Sequence, residues 1–261
     1  GREPADGQAQ RAAEGAADKM KAPAFQTEAQ KTFCQTFQKL CSHTSAWQVW
    51  SDFVQLTAIA LSNRCDMQAK REKQYNEIMQ QYDRAEQSVF AELFAQLVTA
   101  LEEQPEQDFL GDMFMRLELG SHWHGQFFTP YSVCRLLSSV TIRSAVEQVA
   151  EHGYCKVNDC ACGAGATLIA ARNSLKHTGI GTDQTLFVGQ DVDRTAALMC
   201  YIQLSLLGCA GYVVIADTLS NPAVGKIIPR RKAGQDIWFM PGLYLSDAWC
   251  ERIRWEMMMC N

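Results

Sequence analysis

The sequence lacks any apolar run long enough to cross a bilayer as a helix, and no signal-peptide pattern opens it. It also lacks an excess of positive charge, because 24 Lys and Arg residues stand against 29 Asp and Glu residues. A strong non-specific grip on nucleic acid usually needs a basic surface, so a simple DNA-binding module is disfavoured, although a local DNA contact is not. We therefore expect a soluble, cytoplasmic protein with no membrane partner.

Cysteines at paired C-x-x-C spacing are also missing, although the chain has 11 cysteines. This pattern favours reduced, mostly buried thiols over a disulfide framework or a zinc site. Cys160 and Cys162 flank one residue and are interpreted as small packing residues. His122 and His124 flank Trp123 without a nearby third ligand, so polar surface or DNA contact is favoured over metal binding. We expect no metal.

The chain nevertheless has enough apolar residues for a real core, with 47% hydrophobic content in 261 residues. Residues 1–23 have almost no large apolar side chain and are predicted to be a disordered tail. Residues 24–124 are predicted to form a helical domain, in which Trp47, Trp50 and Phe53 recur near the helical period as a core stripe. Its apolar faces need cover, so we expect it to dock as a layer on the remaining domain.

Residues 125–261 are predicted to form an α/β domain. Helical patterns over 131–149, 167–175 and 194–207 alternate with strand patterns over 155–159, 185–190 and 212–216, and Asp193 is placed to cap the third helix. Such alternation favours a parallel sheet with crossover helices. After Leu219 the periodicity fades.

A glycine turn follows the first predicted strand, in the segment from Asp159 to Leu168. Gly163 and Gly165 bracket one small residue and a helical run follows them. A strand, glycine turn and helix in this order bring bare backbone close to a ligand and present free N–H groups at the helix N-terminus. A dinucleotide-binding turn is less favoured, because Leu168 occupies the place of its third glycine.

Three further segments accompany the turn in a fixed order. Gly125-Gln-Phe-Phe-Thr-Pro130 precedes it, the second strand ends in Asp191, and the third is followed by Asp217. This series resembles the gamma-class adenine-N6 DNA methyltransferases, especially the modification subunits of type I restriction systems and their small relatives on mobile elements. Residues 106–112 likewise resemble the Asp-x-Leu-Gly segment of those subunits. The resemblance covers residues 108–219.

The resemblance implies a Rossmann-like methyltransferase sheet with an N-terminal helical extension, S-adenosylmethionine as cofactor, and methyl transfer to the exocyclic amine of adenine in DNA. DNA is the implied partner, and a specificity subunit or another protein subunit is a further one. By position in the motifs, the expected cofactor-binding residues are Phe128, Thr129, Pro130, Asp159, Ala161, Gly163, Gly165, Asp191, Val192, Asp217 and Thr218.

The acids in that set have distinct implied roles. Asp159 is expected to accept a hydrogen bond from the cofactor's ammonium group, Asp191 to hold the ribose hydroxyls, and Asp217 to accept the adenine amino group. The Phe-Thr-Pro element is expected to close the pocket. Two alternatives stay open: Asp159 can cap a turn, and Asp217 can cap a helix.

The catalytic tetrapeptide of the resembled family, (Asn/Asp)-Pro-Pro-(Tyr/Phe), is absent. Two degenerate candidates remain for the catalytic residues. Asn221 and Pro222 keep the opening pair but follow the third strand directly, whereas Met240 and Pro241 end a strand-like run. A methionine cannot accept a strong hydrogen bond from the adenine amine, and neither candidate looks competent for ordinary transfer.

Two hypotheses of different classes follow. The first is a small adenine-type DNA methyltransferase that uses a divergent loop or a partner subunit. The second is a catalytically impaired homologue that binds S-adenosylmethionine, or has lost even that, and serves a regulatory or scaffold role.

Overall fold

The structure is a computed structural model that describes residues 25–119 and 128–259, apart from the side chain of Thr141. The predicted tail over 1–23, the His122 and His124 pair and the first part of the Gly125-to-Pro130 segment lie outside the described residues. None of the helices in the described ranges has the length and apolar character needed to cross a membrane.

The N-terminal part is helical, as predicted. Its helices are α1 Glu28–Gln38, α2 Ala46–Ser62, α3 Ala69–Met79, α4 Arg84–Glu103 and α5 Phe109–Arg116. Local signals set their starts: Asp83 and Glu86 form a capping box at the start of α4. The aromatic stripe is core, because Trp50 and Phe53 are 0% exposed and Trp47 packs edge-on against Phe114.

The rest of the described chain is an α/β fold. Its elements are α6 Tyr131–His152, β1 Cys155–Asp159, α7 Ala166–His177, β2 Thr185–Asp191, α8 Arg194–Leu206, β3 Ala210–Ile215, β4 Asp236–Phe239, α9 Pro241–Leu245 and α10 Asp247–Met259. The sheet order is β1-β2-β3-β4, in which the first three strands are parallel. The predicted Rossmann-like α/β class is confirmed, and the three parallel strands lie within two residues of their predicted bounds.

The helical part packs on the sheet part through α8. Helix α2 lies against α8, and both contribute to one buried apolar cluster that also contains Trp238 of β4. Arg71 of α3 lies over the ring of Trp238 at 3.6 Å and donates to the carbonyl of Ile237 at 2.9 Å. On the opposite face of the sheet, Trp249 of α10 packs in a second cluster. The apolar faces predicted to need cover are therefore buried.

The fourth strand departs from the parallel order. β4 pairs antiparallel with β3, with Phe239 opposite Tyr212 and Asp236 opposite Ile215. Parallel strands are usually joined through a crossover helix. Residues 216–235 instead contain no helix and form turns and one bridge between Gly225 and Pro229. The chain therefore returns beside β3 in the reverse direction.

This order leaves one edge of β1 without a partner strand among the described residues. The N–H of Cys155 points toward β2 and donates to the carbonyl of Gln184, the residue before that strand. The backbone groups of Lys156 and Asn158 therefore point the other way. The N–H of Lys156 reaches only the side chain of Gln148, at 3.4 Å. A groove of about 680 Å³ lies between this edge and α6.

Candidate functional site

The glycine turn between β1 and α7 needs glycine at two places. Gly163 has φ +50° and Gly165 has φ +99°, which are left-handed conformations that other residues rarely adopt. A Cβ on Gly163 would lie 3.0 Å from the ring of Phe128, and a Cβ on Gly165 would lie 3.0 Å from Sγ of Cys200. The turn is closed by the N–H of Gly165, which donates to the carbonyl of Cys162 at 2.8 Å. The two glycines thus allow neighbouring groups to lie close to the backbone of the turn.

A cavity of about 180 Å³ lies against this turn, at the carboxyl ends of β1 and β2. This edge is where open α/β sheets bind ligands. The volume is below the roughly 300–1,000 Å³ of pockets that enclose a whole drug-sized ligand. The cavity therefore suits one part of an extended ligand, whose remainder would lie over the exposed strand ends.

The cavity brings together five of the predicted cofactor residues. These are Phe128, Thr129, Ala161, Gly163 and Asp191. The other six predicted residues do not line it, namely Pro130, Asp159, Gly165, Val192, Asp217 and Thr218. Six lining residues were not predicted, namely Asp108, Cys162, Ala164, Ala166, Thr167 and Ala196. Cys162 is a buried packing residue as predicted, but Cys160 is exposed, so the packing interpretation was wrong for Cys160.

Asp191 ties the glycine turn to the end of β2. Its Oδ2 accepts from the N–H of Gly163 at 2.8 Å, and its Oδ1 accepts from the N–H of Asp193 at 2.9 Å. An ionised carboxylate has about four acceptor positions, so capacity for further hydroxyl donors remains. Asp193 is the N-cap of α8, accepting from Ala196 N at 2.7 Å, which confirms that prediction.

Asp159 lies at the end of β1 but turns onto its own loop. Its Oδ1 accepts from the N–H of Ala161 at 3.1 Å. An aspartate that bonds the backbone two residues ahead is the usual way this side chain stabilises a turn. The geometry therefore favours the turn-capping interpretation of Asp159.

Asp217 and Thr218 fix the loop after β3 at the same edge of the sheet. The carboxylate of Asp217 accepts from Leu219 N and from the hydroxyl of Ser220, each at 2.9 Å. The bond from Leu219 and then the bond from Ser220 lower the pKa of Asp217. The hydroxyl of Thr218 donates to Cys160 O at 2.5 Å, which joins this loop to the glycine turn. Asp217 caps a turn here rather than a helix, because β4 is the next element.

Asp108 is a further functional candidate, for which the sequence indicated no role beyond its position in the Asp-x-Leu-Gly segment. It is 7% exposed, caps α5, and its Oδ1 accepts from Gly111 N at 2.9 Å and from Gln203 Nε2 at 2.7 Å. The amide of Gln203 also donates to Ala164 O at 2.9 Å and accepts from Leu110 N at 3.0 Å. Burial raises the pKa of Asp108, and the two hydrogen bonds to Oδ1 partly oppose that rise.

Met240 and Pro241 lie far along the sheet from this cavity. The N–H of Met240 donates to Gly211 O at 2.9 Å, near the amino end of β3, whereas the cavity lies beside the carboxyl ends of the parallel strands. Met240 is also fully buried. Because β4 runs in the reverse direction, this pair lies near the amino ends of the parallel strands. The structure therefore does not bring it together with the predicted cofactor residues.

Asn221 and Pro222 lie beside the carboxyl ends of the parallel strands, but their polar groups stabilise the loop after β3. The Nδ2 of Asn221 donates to Ala233 O at 2.9 Å, and its carbonyl accepts from Gln190 Nε2 at 3.0 Å. The carbonyl of Pro222 accepts from Lys232 Nζ at 3.0 Å. Neither residue lines the cavity. These groups are therefore engaged in local structure.

The comparison with known protein families gives a match over the middle of the chain. The sequence model of the family described as N-6 DNA Methylase matches residues 106–235. Residues 106–235 belong to this family. The matched range contains Asp108, the glycine turn and all three acids that follow the strands, and it ends before Met240.

Among solved structures, the chain is similar to one from Listeria monocytogenes, provisionally described as a class I S-adenosylmethionine-dependent methyltransferase. The identity is 15% and the TM-score is 0.43, with 77% of this chain and 57% of that chain covered. The chain thus spans little more than half the length of that protein. No protein of curated function matches the chain. Within the described residues, no group of three or more His, Cys, Asp or Glu side chains is placed to hold a metal ion.

Proposed function

We propose that the protein binds S-adenosylmethionine at the glycine turn and serves methyl transfer to the N6 amine of adenine in DNA. The observation that carries the proposal is the cavity at the carboxyl ends of β1 and β2, built by residues of the matched family region. When bound, S-adenosylmethionine supplies an activated methyl group on a sulfonium.

The residues present fit the separate parts of that cofactor. Gly163 lacks the Cβ that would fill the space beside Phe128, so backbone can lie close to the methionine part. Asp191 has acceptor capacity left for ribose hydroxyls. Asp217 is exposed at the end of the next strand, where it can accept from the adenine amino group. The glycine turn and two carboxylate acceptors thus lie beside the carboxyl ends of the parallel strands.

The target-base side of the reaction is less complete. Transfer to an exocyclic amine needs acceptors that orient the amine and take up its developing charge. The side chain of Met240 cannot accept a strong hydrogen bond, and Met240 lies near the amino ends of the parallel strands. The side-chain amide of Asn221 donates to Ala233 O. We therefore expect this chain alone to transfer methyl groups weakly. We expect a second polypeptide to supply the hydrogen-bond acceptors that orient the target amine.

The free edge of β1 is where such a polypeptide can join the fold. The outward N–H and C=O groups of Lys156 and Asn158 can pair with an added strand. Beside them, Leu137 and Val140 of α6 line the groove and are 53% and 76% exposed. An added strand with an apolar face would cover both. This partner would be a protein subunit that also contacts DNA.

Two assays on the full chain test the proposal. Titration calorimetry with S-adenosylhomocysteine should show saturable binding, which Asp191→Ala should weaken and the exposed control Asp247→Asn should not. Transfer of radiolabelled methyl groups to duplex DNA should then be weak but confined to adenine N6. Binding without any transfer would favour the regulatory or scaffold role, and no binding at millimolar ligand would contradict the proposal.

A further inference from the structure

The cavity beside the glycine turn contains a buried carboxylate with one oxygen unused. Asp108 is 7% exposed and lines the cavity. Both of its hydrogen bonds, from Gly111 N and from Gln203 Nε2, arrive at Oδ1. No bond to Oδ2 is made by the described residues. A polar atom of a buried side chain without a partner is unfavourable and uncommon, so it indicates a place for a ligand group.

No basic side chain among the described residues, whether Lys, Arg or His, lines the cavity beside this carboxylate. The nearest acid along the helix, Asp112, is itself paired with Arg116 at 2.8 Å and with Gln30 at 2.6 Å. Within the described part of the chain, the carboxylate of Asp108 therefore has no cation to pair with, which distinguishes it from a buried ion pair.

The position of Oδ2 is set by its neighbours. A Cβ on Gly111 would overlap Oδ2, so a glycine there leaves the space that the carboxylate needs. Gln203 holds the other oxygen and, through the same amide nitrogen, the carbonyl of Ala164 in the glycine turn. Residues from α5, α8 and the turn thus fix one carboxylate against the cavity wall.

A second polar feature faces the same cavity, at the start of α7. Gly165 is the N-cap of this 12-residue helix and offers no side-chain cap, and Ala166 and Thr167 of the first turn line the cavity. The N–H groups of a helix's first turn have no partner within the helix, and they attract anions. The lining of the cavity therefore includes donors for an anionic group and an acceptor for a cationic group.

We propose that Asp108 and the first turn of α7 form a subsite for a zwitterionic α-amino acid group, with the ammonium on Oδ2 of Asp108 and the carboxylate on the helix N–H groups. This inference rests on the proposed function, because the amino acid end of S-adenosylmethionine is such a group. It moves the ammonium contact from Asp159, whose side chain caps its own turn, to Asp108.

The test compares two ligands that differ in the amino acid end. S-adenosylhomocysteine has it, and 5′-methylthioadenosine lacks it. Calorimetry on the full chain should give tighter binding of S-adenosylhomocysteine by roughly 10-fold or more, the effect expected of a lost charge-assisted bond. Asp108→Asn should lower that ratio by roughly 10-fold, because the ammonium contact is lost while the carboxylate contact with α7 remains, and it should leave the affinity for 5′-methylthioadenosine unchanged.

The ratio within each variant is independent of the folded fraction, so partial unfolding does not imitate the result. Gly111→Ala, which displaces Oδ2, should lower the ratio in the same direction. The inference is overturned if Asp108→Asn keeps the ratio of the parent protein, or if Asp159→Asn alone removes it. If the parent protein binds neither compound, the proposed function fails together with the subsite. If it binds both equally, only the subsite fails.

Discussion

The backbone N–H of Gly163 donates to Oδ2 of Asp191 at 2.8 Å, so the carboxylate at the end of β2 holds the glycine turn that follows β1. The other oxygen of the same carboxylate takes the N–H of Asp193 at 2.9 Å. One side chain thus joins the two loops at the edge where the ligand is proposed to bind. Its replacement should disturb binding more than stability.

Asp191→Ala is expected to weaken binding of S-adenosylhomocysteine by roughly 10-fold or more, since a bond to a charged group contributes about 1.5–3 kcal/mol. Titration calorimetry at constant pH and salt measures this change. Asp247→Asn removes an exposed carboxylate in α10, away from the cavity, and is the control. Equal affinities for Asp191→Ala and the parent would exclude Asp191 from the cofactor site.

Gly163→Ala is expected to destabilise the protein by about 1–2 kcal/mol through its left-handed conformation, with an added effect from the Phe128 contact. Gly179→Ala is a matched control, because Gly179 has φ +85° and a Cβ there meets nothing within 4 Å. Denaturant unfolding measures both changes. Only Gly163→Ala should also lower ligand affinity, and a parallel loss in Gly179→Ala would indicate a general effect of stability.

Asp108→Asn is expected to stabilise the ligand-free protein at neutral pH. Burial raises the folded-state pKa of Asp108, so the folded state holds its proton more tightly than the unfolded state does. The stability of the parent therefore falls as pH rises from the unfolded value through the folded value, and the asparagine variant lacks that fall. The amide side chain of the variant keeps an oxygen for the bonds from Gly111 and Gln203.

Denaturant unfolding at about pH 5 and about pH 8 checks this sign, with the variant's advantage growing toward the higher pH. Asp112 also raises the pKa of Asp108, and it is present in both proteins, so the two differ only in the ionisable group at position 108. A variant that is less stable than the parent by the same amount at both pH values would show that the charge of Asp108 has no cost in the ligand-free fold.

Met240→Leu is expected to leave ligand binding and any methyl transfer unchanged. The side chain is fully buried near the amino end of β3, where a swap of similar volume usually costs less than about 1.5 kcal/mol. Asn221→Ala is the comparison variant beside the carboxyl ends of the parallel strands, where it removes the hydrogen bond to Ala233 O. Loss of transfer in Met240→Leu at unchanged stability would contradict the placement argued for this pair.

The sequence predicted the parallel part of the fold well, because each element is set by local patterns. The strand over Cys155–Asp159 was predicted to the residue, and Asp193 caps α8 as its position indicated. The direction of β4 was not predictable in this way. A strand pattern over 236–240 specifies alternation but not its neighbour, and the antiparallel pairing with β3 depends on the whole 216–235 connection.

The cofactor side of the site was predicted in part for a similar reason. Motif order located Gly163 and Asp191, which line the cavity. It gave no role to Asp108, because that carboxylate reaches the cavity only through the packing of α5 on α8, across a sequence separation of 95 residues from Gln203. The distinction between Asp159 and Asp108 needed the direction of each side chain, which a sequence pattern does not contain.

A crystal structure of the full chain with S-adenosylhomocysteine would locate each part of the ligand in the site. We expect the amino acid end in the cavity between Asp108 and the first turn of α7, the ribose at Asp191 and the adenine beside Asp217. A ligand bound at another surface, or a cavity filled by side chains in the presence of saturating ligand, would contradict it.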